Sequence, residues 1–153
     1  MRLHHIIHNH DGILWCGHAA MATITGRPTK ECLHYLRICA KELDLHKGAE
    51  RKLKGIYAKE LTRALIYFGF DCKLIHDSKL YEQLPNNSLL DHSQRLNPGK
   101  VYLVIVPNHY VVCQGNIMID NHYIHGIRVA ESKRKDQPVA AIWEVSELQA
   151  KDL

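Results

Sequence analysis

Lys100-Val-Tyr-Leu-Val-Ile-Val106 is the strongest β signal in the chain, and Asn97-Pro98-Gly99 marks an abrupt turn that launches it. Pro107-Asn108 interrupts the run, and His109-Tyr-Val-Val-Cys113 resumes it. Gln114-Gly115-Asn116 supplies a tight turn, and Ile117-Met-Ile-Asp120 returns. Further strands are expected over Phe70–Ile75 and, after a basic loop, over Val139–Val145. Ahead of this meander the periodicity is helical. The alanine-rich run 19–22 predicts a helix stopped at Gly26, before Pro28. Thr29 can cap a second helix from Lys30, with Leu33, Leu36, Ala40 and Leu43 on one face. A third should run over Ala58–Tyr67, with Leu61, Leu65 and Phe68 inward and Gly69 at its end. Asp44–Gly55 is expected as a surface loop. Lys79–Leu84 and Ser88–Leu96 are expected as short helices, and the chain from Ser146 as a short tail or helix. Helices followed by an antiparallel meander predict an α+β protein, with N-terminal helices packed on a C-terminal antiparallel sheet and all the helices gathered on one side of it. The length suits a single domain over 1–153.

A composition of 46% hydrophobic and 24% charged residues is that of a globular protein needing no staples. The five cysteines are odd in number and form no C-x-x-C pair, so neither a disulfide framework nor a zinc ribbon is expected. No apolar run approaches the roughly 20 residues of a membrane span. The first residues lack a signal-peptide core, so a reducing cytoplasm is the expected setting. The net charge of +4 comes largely from 47–54 and 128–135. Without interleaved aromatic residues these clusters argue against a nucleic-acid face. Twelve histidines include His4, His5, His8 and His10, with i, i+4 spacing between His4 and His8, and a looser pair, His122 and His125. No Cys, Asp or Glu at ligand spacing completes a zinc site around them, so no metal and no cofactor are expected.

The chemistry concentrates at two places. Cys16, just ahead of Gly17 and the alanine run, falls at or just before a first helical turn, where free N–H groups and the helix dipole favour thiolate. The other place is the hairpin after His109. A two-residue Gln114-Gly115 loop would set Asp120 directly opposite His109. A Gly115-Asn116 loop would make Asp120 a same-face diagonal neighbour, and a three-residue loop would bring Asn121 opposite instead. Every short register offers the imidazole a carboxylate or a carboxamide. Cysteine at a helix start, histidine opening a strand and an orienting Asp or Asn on the next strand make a triad layout. Cys32, Cys39, Cys72 and Cys113 are expected in the core, Cys113 on the same strand face as His109.

On Trp15-Cys-Gly-His-Ala-Ala20, Thr25-Gly-Arg-Pro-Thr-Lys-Glu31, Pro98-Gly-Lys-Val-Tyr-Leu-Val104 and His109-Tyr-Val-Val-Cys-Gln-Gly115 running into Ile119-Asp-Asn121, the sequence resembles the papain-like cysteine peptidases. It is most similar to the branch of bacteriocin-processing (double-glycine) peptidases and small phage-encoded relatives. The resemblance implies a papain-like fold in which Cys16 is nucleophile, His109 general base and acid, and Asp120 the orienting residue, with Asn121 as alternative. In that family a glutamine ahead of the nucleophile helps form the oxyanion hole. His10 stands at its place with Asn9 beside it, and either could donate there together with the Cys16 N–H. The expected function is thus a thiol hydrolase, a cysteine peptidase or isopeptidase acting on an amide bond of a protein or peptide. By analogy it would be phage-encoded and host-directed, working in the host cytoplasm. The rival reading is a catalytically impaired papain-like fold that binds and inhibits a host factor. A third is a small basic nucleic-acid-binding protein. Oligomeric state is not legible in these residues.

Overall fold

The computed structural model describes residues 1–42, 58–78 and 85–149, with backbone alone at 40–42. The loop expected over 44–55 and the short helix expected over 79–84 lie outside the described residues. Among those described are four α-helices, α1 (Cys16–Thr25), α2 (Thr29–Glu42), α3 (Ala58–Tyr67) and α4 (Leu89–Arg95). One antiparallel sheet holds six strands, β1 (Phe70–Asp77), β2 (Val101–Val106), β3 (His109–Gln114), β4 (Ile117–Ile119), β5 (Ile127–Arg128) and β6 (Ala141–Glu147), in the order β1-β6-β2-β3-β4-β5. The class is α+β. Among the described residues no helix is long and apolar enough to cross a membrane.

Two expectations need correction, and β2 explains both. Its residues are apolar without alternation and all but Ile105 are buried, so β2 must be covered on both faces and paired on both edges. Helices therefore do not gather on one side. Met21, Ile24, Leu36, Leu61 and Leu65 of α1–α3 pack on Val101, Leu103 and Val112, whereas Leu89 of α4, with Val129 and Val139, covers Tyr102, Val104 and Val111 on the opposite face. Nor is the sheet a meander throughout. Only β2 to β5 run in sequence; β6 inserts between β1 and β2, where Trp143 pairs with Leu74 on one side and Leu103 on the other. This leaves β1 as an edge strand, with Leu74 and Ile75 exposed.

α1 is buried continuously from Gly17 to Ile24. Its alanines allow the close approach that buries a helix on every side. Gly26 ends it at φ +72, in the left-handed region, with its N–H on Ala22 O. Thr29 does not cap α2 but is its first residue. The Lys30 N–H is accepted at 2.9 Å by Asn9 Oδ1, so the N-terminal segment caps this helix from outside. α3 spans the expected residues. Ser88 caps α4 through a reciprocal pair with Asp91. The C-terminal stretch continues β6 to Glu147.

Candidate active site

The site is assembled by two tight turns and one helix start. Pro107-Asn108 is a two-residue connection that pairs Val106 with His109, and Asn108 takes the left-handed conformation (φ +54) that the turn demands. His109 therefore opens β3. The next hairpin closes through Gly115-Asn116, Gly115 at φ +59, pairing Gln114 with Ile117 and Val112 with Ile119. Of the three registers open to the sequence, this one makes Asp120 the same-face diagonal neighbour of His109. His109 Nε2 lies 2.8 Å from Asp120 Oδ2, with the carboxylate fully shielded from solvent and His109 8% exposed. The exposed His122 stacks on the His109 ring at 6.1 Å.

Cys16 is the first residue of α1, after an extended Trp15. Its thiol hydrogen-bonds the His109 side chain and lies within reach of the Tyr110 and Gly17 N–H groups. Asp120 holds Nε2, so the imidazole meets the sulfur through Nδ1. Burial alone would raise the Cys16 pKa. The His109 hydrogen bond, the Tyr110 N–H, the His109 charge and the Gly17 N–H outweigh it, and the thiol sits below its ordinary value. Burial likewise works against charge on His109, but hydrogen bonds to Asp120 and Cys16 and the thiolate charge raise its pKa above the ordinary value. Asp120 is lowered despite burial, by His109 and by the N–H groups of His122 and Tyr123. Cys32, by contrast, is pushed up to about 11, and Cys72 and Cys113 to about 12, chiefly by burial. These directions favour thiolate beside imidazolium at Cys16 and His109.

The other candidate residues have different employment. His10 Nδ1 is 2.7 Å from Thr29 Oγ1 and Nε2 is 3.4 Å from Ile13 O, so both ring nitrogens are engaged away from Cys16. Asn9 commits Oδ1 to capping α2. Asn121 turns from His109 and donates from Nδ2 to Leu14 O at 3.3 Å. Beside Trp15 a groove of about 430 Å³ is bounded by His10, Ile13, His18, Leu33 and Arg37. Among the described residues, no group of three or more His, Cys, Asp or Glu is arranged to hold a metal ion.

Arg134 belongs to the site, although it sits in a basic run that suggests only a solvated loop. Its Nε donates to Asp120 Oδ2 at 3.2 Å, its side chain is 15% exposed, and Nη1 donates to Gln137 Oε1 at 3.3 Å. No sequence signal separates it from its exposed neighbours Lys133 and Lys135. Comparison with protein-family models, with curated proteins and with solved structures finds no match for this chain.

Proposed function

We propose that the protein is a thiol hydrolase of papain-like type that cleaves an amide bond in a protein or peptide through Cys16, His109 and Asp120. The reading rests on one observation: a half-buried thiol at a helix start, hydrogen-bonded to an imidazole whose other nitrogen is held by a buried carboxylate. The Cys16 thiolate attacks the acyl carbon. The imidazolium gives its proton to the leaving amine, and the freed imidazole takes a proton from the water that attacks the thioester carbon and releases the acid. The Cys16 N–H, which the helix leaves without an intrahelical acceptor, supports the oxyanion. The family resemblance adds a phage-encoded, host-directed role in the cytoplasm as analogy.

A second reading has its own observation. His10 is engaged on both ring nitrogens, and one lost oxyanion donor costs roughly 10²–10³ in rate. A papain-like protein that binds a partner without turning it over fits that loss. The nucleic-acid reading is weaker, because one cation of the second basic cluster, Arg134, is turned onto Asp120.

Iodoacetamide labelling with site mapping across pH 5 to 9, on wild type and His109→Ala, tests the thiolate. Rapid labelling of Cys16 near pH 6, lost in His109→Ala, is expected. Labelling no faster than at Cys72 would remove the hydrolase reading. Fast labelling without turnover of any peptide in a substrate library would favour the binding reading.

A further inference from the structure

The Asp120 carboxylate is a saturated acceptor. Oδ1 receives the His122 N–H at 2.8 Å and the Tyr123 N–H at 2.9 Å, and Oδ2 receives His109 Nε2 and Arg134 Nε. A carboxylate offers about four lone-pair sites, and all four are used. Two consequences follow. The carboxylate cannot rotate without breaking a bond, so it holds the imidazole in the tautomer that turns Nδ1 to the sulfur. It also shares Oδ2 between two cations, so His109 does not have that oxygen to itself.

The second consequence bears on turnover. An imidazolium gripped by both a thiolate and an undivided buried carboxylate would hold its proton too tightly to act as an acid, and a general acid works best when its proton is nearly free at the working pH. The groups facing His109 are Cys16 from α1, Asp120 and His122 from the chain after β4, and Arg134 from the loop before β6. Arg134 is the one fixed cation among them, and its charge opposes protonation of His109.

We propose that Arg134 is a positioning residue that acts through Asp120: it fixes the carboxylate for His109 and, by taking part of Oδ2, eases release of the His109 proton to the leaving group. Its anchor on Gln137 keeps the guanidinium turned inward, and the planar fork lets one side chain span Asp120 and Gln137. The role rests on the hydrolase reading above.

The test is an NMR titration of the His109 imidazole in wild type, Arg134→Gln and Arg134→Lys, with Cys16 alkylation at pH 6 run on each. The expected midpoint of His109 is higher in Arg134→Gln than in wild type and falls back towards wild type in Arg134→Lys, which restores the charge. A folded Arg134→Gln protein with the wild-type midpoint would overturn the proposal, even where Cys16 still labels fast. Slow labelling of Cys16 in wild type would instead bring down the hydrolase reading. Should Arg134→Gln not fold, Gln137→Leu frees the far end of the guanidinium. The same upward direction is expected there, and an unmoved midpoint counts against the proposal.

Discussion

Asn121 Nδ2 donates to the Leu14 carbonyl at 3.3 Å, so the residue after the site's carboxylate also holds the chain just ahead of its cysteine. The two halves of the site come from opposite ends of the sequence, α1 and the β3–β4 hairpin. Their separation is fixed by contacts of this kind together with the packing of α1 on β3. The neighbouring Ile6 N–H to Ile124 O bond at 3.1 Å ties the N-terminal segment to the same loop.

Asn121→Ala separates positioning from folding. Among the described residues Asn121 Oδ1 is buried without a partner, so truncation removes an unsatisfied acceptor along with one hydrogen bond. The net change in stability should stay within about 1 kcal/mol. The Leu14–Trp15 lead-in loses its tether, and labelling of Cys16 at pH 6 should slow by up to roughly tenfold, since small misplacements of a reacting group are costly. Urea unfolding and the labelling rate are the two measurements. An unchanged rate would mean that packing of α1 alone sets the Cys16–His109 contact.

Much of this was legible locally. α3 has its expected ends because Gly69 stops an amphipathic run, and Cys16 opens α1 because small residues follow it at once. The hairpin register was legible only as three alternatives, since Gln114, Gly115 and Asn116 all suit turns. Gly115 at positive φ as the first loop residue decides among them. Three things were hidden because they are tertiary. The insertion of β6 beside β2 depends on which strand best covers an apolar edge. The engagement of His10 depends on Thr29, far along the chain, and Arg134 turns inward only because Asp120 is there to receive it.

Gly26 carries two constraints that can be measured apart. At φ +72 any other residue is strained, and a Cβ there would lie 3.0 Å from the His4 ring. The His4 backbone is held, because its N–H donates to Thr23 O at 2.9 Å and its carbonyl accepts from Thr23 Oγ1 at 2.6 Å, so relief of the crowding has to come from rotation of the ring. Gly26→Ala should therefore cost about 1–2 kcal/mol, from backbone strain with crowding added. In a His4→Ala background the same substitution should cost less, leaving about 1 kcal/mol of strain. Equal costs in the two backgrounds would show that the ring swings aside freely.

Asp120→Asn probes the carboxylate in both rate and stability. The amide keeps the shape and can still accept the His122 and Tyr123 N–H groups through Oδ1. Its NH₂ then faces two donors, His109 Nε2 and Arg134 Nε, and the cations lose their counter-charge. Removing one partner of a buried pair costs about 3–5 kcal/mol. Loss of the orienting carboxylate should lower turnover by roughly 10²–10⁴. The pH dependence of the stability difference has a definite sign. Because the folded-state pKa of Asp120 is depressed, its contribution is fully present above the unfolded value of about 3.9 and is lost as pH falls through the folded value. The gap between wild type and Asp120→Asn, read from urea midpoints, should widen as pH falls through the His109 titration, because Asp120 raises the His109 pKa, then hold steady from about pH 6 down to about 4 and close below that. A gap that instead stays constant to pH 2 would mean that the variant's cost lies in geometry rather than in the charge of Asp120.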